Sequence, residues 1–188
     1  MNSEKIPTEV LKYELRKMQI KLAEESRSSF LTFVKKVWPE FVAGSHHKII
    51  AQKFEDISRG KIKRLIVNMP PRHTKSEFAS HLFPAWMLGQ KPKLKIIQTT
   101  HTAELSYNFG RKVRNLFDQQ DFKDVFPTVS LSQDSKAAGR FTTHAGGEYF
   151  AAGVGGAITG RGADLLIIDD PHSEQDALSQ TAMDNAYE

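Results

Sequence analysis

The sequence predicts an α/β fold, a mostly parallel sheet flanked by helices. Three observations carry this. Short apolar runs at 65–68, 95–99 and 165–169 have the length and composition of core strands. Helix-length segments separate them, and such alternation implies parallel pairing with helices on both sheet faces. The run at 165–168 also ends in two consecutive carboxylates, Asp169 and Asp170. Acids at the carboxyl ends of parallel strands lie where open sheets of this kind bind ligands.

The elements follow in order. Residues 1–28 are charged, with Leu11, Leu15, Met18 and Leu22 at helical spacing. They read as an N-terminal helical arm that packs on the body or on a partner, and 29–188 as the main domain. Residues 30–37 form a short helix ended by Trp38-Pro39, and 46–57 another, closed by Ser58-Arg59-Gly60. The first core strand is 65–68. A helix follows over 77–88, with Pro84 expected to kink or shorten it. The second strand, 95–99, leads into a helix over 103–117. Residues 141–143 and 148–152 pair as a hairpin around Ala145-Gly146-Gly147. The last strand is 165–169, followed by a helix over 174–188. No internal repeat or low-complexity tract interrupts the chain.

Composition narrows the class. A chain of 188 residues makes one ordinary domain with a sizeable core. Its 39% hydrophobic and 26% charged residues are typical of a globular protein. No apolar stretch nears the roughly 20 residues needed to span a bilayer. The absence of cysteine excludes disulfides and Cys-ligated metals, and fits a reducing cytoplasm. The net charge of +4 is mild, but the cations cluster. Lys53, Arg59, Lys61, Lys63 and Arg64 crowd the approach to the first strand. Lys91, Lys93 and Lys95 precede the second, and Arg111, Lys112 and Arg114 lie on the helix after it. Each cluster is either a solvated surface or part of a path for nucleic acid. The histidines His46, His47, His73, His81 and His101 match no zinc-site spacing.

Residues 64–76, RLIVNMPPRHTKS, hold the strongest local signal. An apolar run feeds a tight loop that ends in Lys75-Ser76, and a helix starts at once. Phosphate-binding loops have this layout. Backbone N–H groups and a helix N-terminus face the phosphate oxygens, a lysine neutralises the outer phosphates, and a hydroxyl binds Mg²⁺. The glycines of the usual G-x-x-x-x-G-K-[ST] pattern are missing: Met69 stands at the first and Thr74 at the second. A proline-rich turn with a solvated lysine is the plainer account of these residues alone. The Asp169-Asp170 pair changes the balance. In nucleotide hydrolases the first acid holds Mg²⁺ and the second orients or deprotonates the attacking water. Together the two segments describe a P-loop NTPase of the ASCE/RecA-like kind, taking ATP and Mg²⁺. Pro71, Arg72, His73, Thr74, Lys75 and Ser76 then line the phosphates, and Ser76 and Asp169 hold the metal. Ser76 can also cap the helix. Arg72 can stabilise γ-phosphate charge within its own subunit. His73 is more a loop-shaping than a catalytic residue.

The blocks FVKKVWPEF, PPRHTKS, FPAWMLGQKP, IIQTTHTAELSYNFGRKVRNL and GxITGRGADLLIIDDP resemble the large terminase subunit of tailed bacteriophages, the ATP-driven motor that packages viral DNA. The resemblance runs from about residue 30 to the C-terminus and covers the N-terminal ATPase portion of such a motor. Pro-Pro-Arg is common in that family's phosphate loop. The resemblance implies double-stranded DNA, a small terminase subunit and a portal or prohead as partners, a homo-oligomeric ring, and the host cell cytoplasm. It implies that Asp170 fills the place where the family often has a catalytic Glu, with Glu174 as a fallback. It makes Arg161, in TGRG, the candidate for an arginine acting on a neighbour's nucleotide. Thr99-Thr100-His101 matches a motif that senses nucleotide or contacts DNA, and His47 and Gln52 lie where relatives read adenine. Related motors continue past the Asp-Asp segment with a strand that lies between the first strand and the acid-bearing one, and then with a nuclease domain. This chain is therefore expected to be C-terminally truncated relative to them, with a gap beside its acid-bearing strand and weak activity alone. The alternatives are a non-catalytic nucleotide-binding or docking remnant, or a helicase-like DNA translocase.

Overall fold

The computed structural model of the chain describes residues 7–156, 158–173 and 176–187. The chain divides into two compact units, Met1–Ile62 and Lys63–Glu188. The division falls after the Ser58-Arg59-Gly60 turn, where Gly60 takes a φ of 72°. The sequence-derived boundary at 28/29 lies within the first unit, which holds the first three helices.

In the first unit, α1 (Thr8–Ser28), α2 (Phe30–Val37) and α3 (Ser45–Ser58) enclose a small aromatic core. Phe30 meets Phe54 edge-on at 5.4 Å. Ser29 caps α2 by accepting from Thr32 N at 3.3 Å. The buried Glu55 carboxylate accepts from Phe30 N at 2.9 Å and pairs with Arg59 at 3.2 Å. Those bonds are what allow a charged group into this core. The predicted stripe of Leu11, Leu15, Met18 and Leu22 is exposed, and α1 buries Ala23 and Ser26 instead.

The second unit is built on a five-stranded sheet of order β2-β3-β4-β1-β5. Its strands are β1 (Lys95–Thr100), β2 (Leu131–Lys136), β3 (Arg140–Thr143), β4 (Glu148–Gly153) and β5 (Leu165–Ile168). β1 pairs in parallel with β4 and β5, whereas β2, β3 and β4 pair antiparallel. The sheet is thus mixed, not mostly parallel. The cause is local: a tight turn through Gly146, at φ 91°, joins β3 to β4, and a turn that short permits only antiparallel pairing. The hairpin itself is where the sequence puts it, and β2 extends it.

Two further expectations change. No strand forms at 65–68. Burial there alternates, with Leu65, Val67 and Met69 half-buried and Ile66 86% exposed. One side is covered, but no ladder partner exists among the described residues, and a strand is held by its ladder. Nor is β5 buried on both faces: Ile167 is buried, while Leu166 and Ile168 on the other face are exposed.

The predicted helix over 77–88 is two pieces, a π-helix Glu77–Leu82 and α4 (Phe83–Gln90). Phe83 N bonds back to Phe78 O, five residues away, at the junction. Pro84 has no N–H for an ordinary helical bond, so the break falls where the sequence puts the kink. α5 (Ala103–Leu116) packs on β4 and β1, and a Cβ on Gly110 would lie 2.1 Å from Ala138 O in the turn between β2 and β3. α6 (Gln120–Val125), a 3₁₀ turn Asp176–Leu178 and α7 (Gln180–Tyr187) complete the unit. In the core, Tyr149 stacks on Phe141 at 4.8 Å and donates to Gln98 Oε1 at 2.7 Å. Among the described residues no helix is long and apolar enough to cross a membrane.

Candidate active site

The carboxyl end of β5 brings its two acids to the loop at 71–76. Asp169 is 5% exposed and Asp170 is largely exposed. Lys75 reaches both: its Nζ lies 3.5 Å from Asp169 Oδ1 and donates to Asp170 Oδ1. Lys75 and Asp170 are 95 residues apart in sequence, so the fold has joined the two predicted segments. Partial burial works against the Lys75 ammonium. The hydrogen bond to Asp170 and the charges of both carboxylates outweigh it, and the pKa lies above its ordinary value.

The loop owes its shape to backbone angles that side chains rarely adopt. Arg72 has φ 64° and Thr74 φ 62°, both left-handed. Thr74 is the position where the usual pattern has its second glycine, so the angle is kept although the glycine is not. Asp170 is a third such residue, at φ 45°. Strained residues of this kind gather at functional sites. His73 Nδ1 lies 2.9 Å from Pro71 O, and Thr74 Oγ1 donates to His73 O at 2.6 Å, so both contacts stay within the loop. Phe78 N bonds to Thr74 O at 2.9 Å, which starts the helical run directly behind the loop. Pro71, Arg72 and His73 are exposed, and Ser76 is half-buried. Ser76 makes no side-chain cap bond, so capping is not its role.

The donor set can be tested against a metal. Among the described residues no group of three or more His, Asp or Glu stands ready to hold one. Zinc-type sites are therefore unsupported. Mg²⁺ needs less from the protein, one or two carboxylates with substrate phosphates and water completing an oxygen shell. Asp169 with the Ser76 hydroxyl fits that demand.

Two contacts were missed by the sequence reading. Ser80, fully buried in the π-helix, donates to Asp169 Oδ2 at 2.8 Å. Glu77, the residue after Ser76, lies 2.9 Å from His81 Nδ1 and pairs with Lys112 of α5. The hydrogen bond with His81, helped by Lys112 and opposed by burial, lowers the Glu77 carboxyl to about 2. The spacing of Glu77 and His81 was a signal for the second contact, since residues four apart share a helix face. Nothing in the spacing of Ser80 announces the first.

The remaining candidates have other partners. Arg161 donates to Glu148 Oε1 at 3.2 Å, and its guanidinium stands 3.9 Å over the Phe150 ring. Glu148 opens β4 and pairs in register with Lys95, which opens β1. Arg161 is thus held toward the amino ends of the parallel strands, away from the end that carries Asp169. Thr99 and Thr100 end β1 on the acid side, with Asp169 N bonded to Thr99 O at 3.0 Å. Thr100 Oγ1 is spent on Thr102 O and Ser106. His47 and Gln52 belong to the N-terminal unit. His47 is 6% exposed, accepts from Gly44 N at 2.9 Å and packs on Phe41 at 4.7 Å. Its ring caps α3, a structural use. Gln52 is exposed and lies 3.5 Å from Asp56. Glu174 lies outside the described residues. No family model matches the chain, and neither a curated protein nor a solved structure matches it.

Proposed function

We propose that the chain is the ATPase portion of a phage DNA-packaging motor of the large-terminase kind. It binds Mg·ATP at the loop 71–76 and hydrolyses it against Asp169 and Asp170. The observation that supports this most is the meeting of Lys75 with both carboxylates across 95 residues of sequence. A surface lysine on an ordinary turn has no reason to be aimed at a buried aspartate.

In this reading Lys75 exchanges its carboxylate partners for the outer phosphates, which carry more negative charge. Asp170, freed by that exchange, is exposed and placed to orient the attacking water or take its proton. Backbone N–H groups of 72–76 receive the phosphates, and Arg72 adds charge from the same subunit. Ser76 and Asp169 would hold Mg²⁺, which would supply positive charge against the charge that develops on the phosphates. Arg161, held at the other end of the sheet, is out of place for its own subunit's nucleotide, so its role belongs to a neighbour's site in a ring. Double-stranded DNA, a small terminase subunit and a portal are the partners of this function, and the host cytoplasm its place.

Binding of a fluorescent ADP or ATP analogue tests the site, with Mg²⁺ present and with EDTA. Wild-type chain should bind in a Mg²⁺-assisted way, and Lys75→Ala should lose most of that binding and all hydrolysis. Equal binding by wild type and Lys75→Ala would remove the assignment.

A further inference from the structure

We propose that Ser80 is a positioning residue for the metal-side carboxylate: its hydroxyl fixes Asp169 so that one oxygen is turned to the phosphate loop. The inference rests on the nucleotide-site reading above and adds a residue to it.

The argument starts with where Ser80 sits. It is fully buried, in a stretch where Phe78, Leu82 and Phe83 are each at most 2% exposed. A hydroxyl in such surroundings must find a partner. In a helix the near partner is the carbonyl four residues back. Ser80 instead donates across 89 residues to Asp169 Oδ2 at 2.8 Å.

That contact divides the two oxygens of Asp169. Oδ2 is held by Ser80, and Oδ1 faces Lys75 at 3.5 Å. When Lys75 leaves for phosphate, Oδ1 becomes free and Oδ2 does not. The carboxylate cannot then swing, and the free oxygen keeps its direction. Hydrogen bonds that hold ligating carboxylates from behind are worth about 10–100-fold in metal affinity or activity.

The backbone around Ser80 supports the same conclusion. Ser80 lies within the π-helix Glu77–Leu82. π turns are rare and recur at functional sites. This one sits directly behind the phosphate loop and aims a polar side chain at the acid of another strand.

The test is Mn²⁺ binding to the chain with ADP, followed by electron paramagnetic resonance, alongside metal-free binding of a fluorescent ADP in EDTA. Ser80→Ala should weaken Mn²⁺ binding by about 10–100-fold and leave metal-free ADP binding within about twofold. In an Asp169→Asn background, Ser80→Ala should cause no further loss of Mn²⁺ affinity. Ser80→Cys, close in volume with a weaker donor, should fall between wild type and Ser80→Ala, and it replaces Ser80→Ala if that variant does not fold. Folded variants that bind Mn²⁺ as wild type does would overturn the role of Ser80 alone. An undiminished loss in the Asp169→Asn background would do the same. A wild-type chain whose Mn²⁺ and ADP binding ignores both Lys75 and Asp169 would overturn the nucleotide site, and this proposal with it.

Discussion

Arg161 is tied to Glu148 at 3.2 Å at the start of β4, the opposite end of the parallel strands from Asp169. The two candidate arginines are thereby separated. In the proposed function Arg72, in the loop itself, would serve its own subunit's nucleotide, and Arg161 would serve a neighbour's. Loss of Arg72 should harm hydrolysis in every subunit. Loss of Arg161 should spare nucleotide binding and remove assembly-stimulated hydrolysis, by about 10³-fold for a true arginine finger. Mixed assemblies of Arg161→Ala with Lys75→Ala subunits should regain activity, since each supplies what the other lacks. Mixtures that co-assemble and stay inactive would remove the trans role and leave Arg161 as a clamp on Glu148 and Phe150.

Thr74 offers a prediction on stability. A β-branched residue at φ 62° holds an angle that costs roughly 1–2 kcal/mol. Thr74→Gly should relieve that strain while keeping the backbone N–H that faces phosphate. The variant loses the bond to His73 O and gains unfolded-chain entropy, so the net gain should be about 1 kcal/mol or less. Thermal denaturation should show a midpoint unchanged or raised by a few degrees, with nucleotide affinity retained. A clear fall in the midpoint would mean that the threonine side chain, not the left-handed angle, holds the loop.

How much of this was legible in the sequence depends on the range of the interaction involved. β1, α5 and the β3–β4 hairpin follow from patterns within a dozen residues, and each forms where predicted. The left-handed angle at Thr74 was implied by the glycine it replaces. The segment 65–68 reads as a strand equally well, yet a strand also needs a neighbour, and composition cannot supply one. Ser80 is the opposite case. In sequence it is one polar residue in an apolar helix, and its partner is 89 positions away. His47 is a similar case: its ring nitrogen accepts from Gly44 N, a contact that only the turn into α3 reveals.

The buried pair of Tyr149 and Gln98 gives a prediction independent of function. Burial pushes the Tyr149 phenol well up, so it stays a neutral donor to Gln98 Oε1. Tyr149→Phe keeps the stack on Phe141 but leaves the Gln98 oxygen buried and unpaired. That should cost about 1–3 kcal/mol in urea denaturation. The double variant Tyr149→Phe with Gln98→Leu should recover part of the loss, because removing both polar partners is far cheaper than removing one. A double variant less stable than the sum of the singles would show that Gln98 has a second use in the sheet.

Glu77 links the helical run behind the loop 71–76 to α5, and its titration gives the pH dependence a sign. Its carboxyl is lowered to about 2 from an ordinary 4.5 by the hydrogen bond with His81 and by Lys112. A group depressed in the folded state stabilises above its unfolded value and loses that contribution as pH falls through the folded one. The stabilisation by Glu77 should therefore be complete above about pH 5 and fade between about 4.5 and 2. Glu77→Gln should be less stable than wild type at pH 7, with the difference shrinking across that window in paired urea titrations. Lys112→Met should narrow the same difference, since it removes a cation that favours the charged form. A Glu77→Gln deficit that stays constant from pH 7 to pH 2.5 would mean that the side chain acts by packing, and that the ion pair between the loop helix and α5 contributes nothing.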